Sequence, residues 1–89
     1  MSRIKIIDFS ASWCGPCRMQ KPTMEDLQKE YADKMEVTFV DVDEHPDLAR
    51  SYEIHAVPTI VIELDGSEMT RFMGVTSKER ILKEVEQFI

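Results

Sequence analysis

The run IKIIDFSASWCGPCR, Ile4 to Arg18, decides the fold. Its first part, Ile4 to Ser10, is apolar and β-branched and reads as a buried strand interrupted by one acid, Asp8. Its second part, Ser12 to Arg18, holds the only two cysteines of the chain, Cys14 and Cys17. They fall where the strand gives way to a helix. Pro16 is tolerated there because the first turn of a helix does not use its missing N–H. The helix is expected from Pro16 to Tyr31. Met19, Thr23, Leu27 and Tyr31, at spacings of four, are expected to face the core, and Pro22 to kink the axis.

Working outward, Val37 to Asp43 reads as a second strand whose continuous apolar character suits a sheet covered on both sides. Asp43-Glu44-His45-Pro46 opens a short helix through Tyr52, and Thr59 to Leu64 forms a third strand. Asp65-Gly66 is a hairpin signal, returning the chain as a fourth strand, Glu68 to Met73. Thr76-Ser77-Lys78-Glu79 has the form of a capping box. The last helix would carry Ile81, Leu82, Val85, Phe88 and Ile89 on one stripe. The order is β-α-β-α-β-β-α, an α/β fold. A right-handed parallel crossover is expected first, with antiparallel strands added by the hairpin. With 89 residues and no linker or repeat, one domain spanning 1–89 is expected.

Composition narrows the function. The 11 basic and 17 acidic residues give a formal net charge of -6, and no Lys/Arg cluster runs along any segment, which argues against a nucleic-acid surface. No apolar run approaches membrane-spanning length. Arg3 to Asp8 starts directly as a strand, so no targeting segment is read. Two cysteines are sparse for a secreted disulfide scaffold. A soluble cytoplasmic protein is expected. The two histidines, His45 and His55, are expected to be exposed, and the six methionines to be flexible core filler.

Three readings of the cysteine pair compete. As a staple, a four-residue loop removes little chain entropy, roughly 2 kcal/mol against about 3 for a 15-residue loop. As a metal clip the pair lacks partners, since structural zinc takes four ligands and the only other soft candidates, His45 and His55, are ten positions apart. As a redox pair it fits the local physics. Unpaired N–H groups and the dipole at a helix start stabilise a thiolate on the first cysteine, and the thiolate is the attacking species in disulfide exchange. Spacing of three on an opening turn brings the second sulfur within reach. Gly15 allows close backbone approach and Pro16 stiffens the turn. Cys14 is then the exposed nucleophile and Cys17 the more buried resolving thiol.

With these residues in hand the chain resembles the thioredoxin family. The resemblance rests on Asp8-Phe9, on Ala11 through Met19 with its Trp-Cys-Gly-Pro-Cys, and on Pro22. It continues through Val40-Asp41-Val42-Asp43, Tyr52-Glu53-Ile54, Val57-Pro58-Thr59, Asp65-Gly66 and Gly74, in order over nearly the whole chain. It implies a thioredoxin-like fold, a mixed four-stranded sheet flanked by three helices. Longer members carry a further strand and helix before the first active-site strand, so a shortened form is expected.

The resemblance also implies roles. Cys14 would attack a partner's disulfide, and Cys17 would release the product and close the bridge. The Val57–Pro58 bond would be cis, placing Pro58 against the sulfurs and leaving the backbone of Val57 free to pair with an extended substrate. Trp13 would form one wall of the substrate groove and Met73 and Gly74 the opposite rim, with Gly15 and Pro16 also counted among the substrate-binding residues. Asp8 would be buried behind Cys17 and help deprotonate it, because burial raises a carboxyl toward neutral pKa. The strand alternation taken alone leaves Asp8 either solvated or buried.

Two residues depart from the family pattern: Ser10 stands where an aromatic is common, and Phe39 where the second strand commonly carries a lysine near the buried Asp. Losing that cation disfavours ionisation of Asp8 further.

The implied activity is that of a protein disulfide reductase, a dithiol–disulfide carrier with no cofactor beyond the Cys14–Cys17 pair and no metal. Its expected partners are a thioredoxin-reductase-type electron donor and disulfide-containing proteins, with no nucleic acid and no membrane, the chain itself acting as a monomer. The rivals are a disulfide oxidase or isomerase, a glutaredoxin-like reductase, and a non-redox binding module on the same fold.

Overall fold

The structure is a computed structural model and describes residues 2–89. Four strands pair in the order β2-β1-β3-β4, with β1 at Ile4–Ser10, β2 at Met35–Asp41, β3 at Thr59–Leu64 and β4 at Ser67–Met73. Strand β1 runs parallel to β2, with Ile4 opposite Met35 and Asp8 opposite Phe39. It runs antiparallel to β3, with Asp8 opposite Ile60. The helices are α1 at Gly15–Glu30, α2 at Pro46–Ser51 and α3 at Lys78–Val85, with a short 3₁₀ turn, Glu86–Phe88, after α3. This is the mixed four-stranded sheet with three helices expected from the sequence.

Alternation along β1 distributes its side chains between two cores. Ile4 and Ile6 join Met24, Leu27, Met35, Val37, Ile60, Ile62, Ile81 and Val85 on the face covered by α1 and α3. Ile7 and Phe9 join Val40 and Val61 on the other face, where Tyr52 and Ile54 close over them. The rings of Phe9 and Tyr52 lie 5.2 Å apart at a tilt, a favourable aromatic geometry. By the same alternation Asp8 follows Ile4 and Ile6 onto the α1 face and enters the interior.

Several boundaries differ from expectation for identifiable reasons. Strand β2 lies two residues earlier than Val37–Asp43, because the side chain of Asp41 ends it. Asp41 Oδ1 accepts from the backbone N–H groups of Asp43 (2.8 Å) and Glu44 (3.2 Å), turning the chain out of the sheet. Strand β2 is an edge strand, and Phe39 is partly exposed rather than covered on both sides. The core stripe of α1 is Cys17, Gln20, Met24 and Leu27. Met19, expected inward, is 70% exposed. The helix runs unbroken through Pro22. Ser77 caps α3 one position later than a Thr76–Glu79 box would require, its Oγ accepting from the backbone N–H of Arg80 at 3.2 Å. On the last helix Ile81 and Val85 are buried, while Ile89 is exposed. His45 and His55 are both exposed.

The β3–β4 hairpin turns through Asp65 (φ 53°) and Gly66 (φ 88°), two successive left-handed residues that match the twist of the flanking strands. The guanidinium of Arg3 holds Asp65 with two hydrogen bonds, at 3.1 and 3.0 Å, and tethers the turn to the chain entering β1.

Candidate functional site

Strand β1 ends at Ser10, and the chain makes a short turn before α1 opens at Gly15. The turn is held by the backbone N–H of Cys14 donating to Ala11 O at 3.2 Å. Cys14 is the N-cap of α1, in an extended conformation, and its Sγ accepts the backbone N–H of Cys17 at 3.1 Å. Gly15 and Pro16 occupy the first helical positions. Cys14 and Cys17 are joined as a disulfide, with their Cα atoms 5.3 Å apart. Together with Ala11 they form a small apolar cluster against Val42 and Val57.

The expectation of an exposed Cys14 above a buried Cys17 is not met. The two residues are 4% and 5% exposed. Cys14 is covered because its sulfur turns inward over the helix end, 3.7 Å from the carbonyl oxygen of Val57. Environment separates the two cysteines instead. Cys14 Sγ faces a helix-end N–H and the Val57 loop, whereas Cys17 lines a cleft of about 390 Å³ that it shares with Asp8, Ser10, Lys21, Phe39 and Asp41.

Asp8 is 1% exposed, and its Oδ1 has no hydrogen-bond partner. Burial pushes its carboxyl up to about 6, because a charge in this interior forfeits its hydration. The strand neighbour on the β2 side is Phe39, which supplies no compensating charge.

The remaining predicted residues lie on the turn before α1 and in its first turn, at the Val57–Pro58 corner and at the end of β4. Trp13 is 68% exposed and is not a core aromatic. Its indole N–H donates to Asp43 Oδ2 at 2.8 Å, which fixes the ring beside the turn. The Val57–Pro58 peptide is cis, Pro58 is buried, and Thr59 Oγ1 donates to Ala56 O at 2.7 Å across this corner. Met73 and Val75 are exposed, and Gly74 between them has φ 94°. The backbone N–H of Gly74 donates to Pro58 O at 2.8 Å, which brings the β4 end against the Val57–Pro58 corner.

Asp43, Gln20 and Thr76 belong to this neighbourhood, although the sequence reading gave none of them a role at the site. Asp43 stands within the Val40–Asp43 stretch of the resemblance, but nothing local marks it as a partner for Trp13. Gln20 does carry one, being a neutral amide at the helical spacing of Cys17, Met24 and Leu27, all of which are buried.

Among the described residues no group of three or more His, Cys, Asp or Glu side chains is placed to hold a metal ion. None of their helices is long and apolar enough to cross a membrane. The chemistry on offer is the opening and closing of one disulfide at a helix end, with a raised carboxyl nearby.

Known proteins resemble this chain in sequence and fold. The family model described as Thioredoxin matches residues 1–87. A thioredoxin of Staphylococcus epidermidis is 35% identical over 88 residues, spanning 99% of this chain and 85% of that protein. Among solved structures, a mutant thioredoxin from Halobacterium salinarum superposes with a TM-score of 0.89 at 32% identity, covering 98% of this chain and 75% of the other. A thioredoxin of Fasciola hepatica gives 0.86 at 37% identity, covering 97% and 81%. The chain therefore belongs to the thioredoxin family of thiol–disulfide oxidoreductases, whose members act through their own active-site cysteine pair.

Proposed function

We propose that Cys14 is the attacking sulfur and Cys17 the resolving one in the reduction of protein disulfides. In the dithiol form the Cys14 thiolate attacks one sulfur of a partner's disulfide. A Cys14–partner disulfide forms and the partner's other sulfur leaves as a thiolate. Cys17, losing its proton, then attacks Cys14. The Cys14–Cys17 bond closes and the second partner sulfur departs. Two electrons pass to the partner, and this chain is left oxidised. The observation that carries the assignment is the Cys17 N–H directed at Cys14 Sγ at 3.1 Å, which favours negative charge on that sulfur together with the dipole of α1.

Asp8 is proposed as the acceptor of the Cys17 proton. In support, it lines the same cleft as Cys17 and has a pKa of about 6, near the range where proton exchange is efficient. Trp13, Gly15, Pro16, Val57, Pro58, Met73 and Gly74 are proposed to receive the substrate, an extended segment pairing with the backbone of Val57 as an added strand. The proposed supplier of electrons is a reductase of the thioredoxin-reductase type. A cytoplasmic monomer is the corresponding setting.

The test is reduction of insulin by the chemically reduced protein, followed through precipitation of the freed B chain and loss of the two thiols. Stoichiometric formation of the Cys14–Cys17 disulfide is expected. A protein that bound insulin but kept both thiols would overturn the reading in favour of a binding module.

A further inference from the structure

Gln20 is wholly buried on a stripe otherwise made of Cys17, Met24 and Leu27. A primary amide in such a place is tolerated only when its polar atoms are paired. Here they are paired with one residue, 56 positions further on. Oε1 accepts the backbone N–H of Thr76 at 2.7 Å, and Nε2 donates to the backbone oxygen of Thr76 at 3.0 Å while facing Met24 Sδ at 3.3 Å. The side chain acts as a strand partner would, taking both backbone groups of a single residue.

Thr76 directly follows the exposed Met73–Gly74–Val75 segment. That segment is held at two points: Gly74 N–H on Pro58 O, and Thr76 on Gln20. The hydroxyl of Thr76 donates back to Gly74 O at 3.0 Å and closes the small loop between the anchors. Val75 projects from it, half exposed. Gln20 lies one helical turn beyond Cys17 on the same face of α1. The amide therefore couples the helix that bears the disulfide to the segment beside it. An apolar side chain of similar length would fill the volume but leave two buried backbone groups of Thr76 without partners, so the segment would have to shift to regain water.

We infer that Gln20 is a positioning residue for protein substrates: through Thr76 it fixes the Met73–Val75 rim relative to the Cys14–Cys17 bridge. The favoured substrate is a disulfide carried on a polypeptide that lays an apolar side chain on this rim. A small disulfide touches only the sulfurs and ignores it. The inference rests on the reductase reading above.

The test compares insulin with a small aromatic disulfide as substrates of the unmodified protein, Gln20→Met and Gln20→Glu. In Gln20→Met both bonds to Thr76 are lost. The preference for insulin, as a ratio of kcat/KM values, is expected to fall about five- to tenfold, through KM rather than kcat. Gln20→Glu keeps an acceptor for the Thr76 N–H and is expected to fall less. An unmoved ratio, or an equal fall for both substrates, overturns the inference while leaving the reductase reading intact. Failure of the unmodified protein to reduce either substrate overturns both. Should neither variant fold, hydrogen exchange in the unmodified protein decides. The Thr76 amide is expected to exchange at least ~100-fold more slowly than that of Val75, and equal rates would overturn the clamp.

Discussion

The backbone N–H of Cys17 donates to Cys14 Sγ at 3.1 Å, so one sulfur of the bridge caps the helix on which the other is carried. A helix cap is normally an oxygen of Ser, Thr, Asp or Asn. Placing sulfur there joins two functions in one atom. On the proposed reading, the group that satisfies an otherwise unpaired donor would, once the bridge is reduced, be the group whose negative charge that donor favours.

Replacing Cys14 by Ser retains a cap but removes the thiolate proposed to attack. Cys14→Ser is expected to reduce insulin no faster than buffer, with the fold retained. Cys17→Ser is expected to attack normally and then stall, because no second thiol resolves the mixed disulfide. Mass spectrometry of Cys17→Ser after incubation with a protein disulfide should show a covalent adduct on Cys14. An adduct in Cys14→Ser instead would reverse the two roles.

The buried carboxyl of Asp8 gives stability a definite pH dependence. Its folded pKa, about 6, lies above its ordinary value of 3.8. The folded state thus binds the proton more tightly than the unfolded chain does. Stability is full below pH 4 as far as this group is concerned, falls as pH rises from about 4 to 6, and is flat above. Two pKa units correspond to about 3 kcal/mol. Asp8→Asn is expected to abolish this fall and to be more stable than the parent at pH 7.5 by about 2–3 kcal/mol in urea titration. The same variant should reduce insulin more slowly near neutral pH and approach the parent rate at high pH, where Cys17 loses its proton unaided. Identical pH–rate profiles would remove Asp8 from the mechanism.

Trp13 is held by a single hydrogen bond to Asp43 at the protein surface. Asp43→Ala is expected to leave the indole mobile, seen as lower fluorescence anisotropy, and to raise KM for insulin by about fivefold or less, the equivalent of one exposed hydrogen bond. A change confined to kcat would count against a wall-forming role for Trp13.

Backbone demands differ among the glycines of the site. Gly74 adopts φ 94°, with no atom within 4 Å of an added Cβ, so Gly74→Ala is expected to cost about 1–2 kcal/mol through conformation alone. Gly15 is helical, and an added Cβ would meet only the Arg18 guanidinium, at 3.9 Å. Gly15→Ala is expected to be neutral or to stabilise by about 0.5 kcal/mol. Thermal unfolding of the two variants checks the contrast.

Much of this could be read from residues in order. The β-branched runs at Ile4 and Thr59 and the Asp65-Gly66 turn are local signals, and local signals survive into the fold. The stripe of α1 misled because Gln20 is inside and Met19 outside, the reverse of their polarity. The reason for Gln20 lies with Thr76, far along the chain, where no periodicity can register it. Strand β2 was displaced by a side-chain hydrogen bond of Asp41, which depends on geometry rather than hydrophobicity. The burial of Asp8 was open in the sequence, since a strand alternates between faces without saying which face is covered. The covering of Cys14 by Val57 joins segments 43 residues apart and has no local trace.

The central place of β1 in the sheet bears on how the protein is made. The strand leading to the cysteines leaves the ribosome before the rest of its sheet, and its antiparallel neighbour ends only at Leu64, 47 positions after Cys17. At about 5–20 residues per second of translation, that is roughly 2–9 s during which both sulfurs hang from an unfinished sheet. Nascent chains are thus open to premature oxidation or mispairing with foreign thiols, a hazard that ends only when β3 is synthesised and docks.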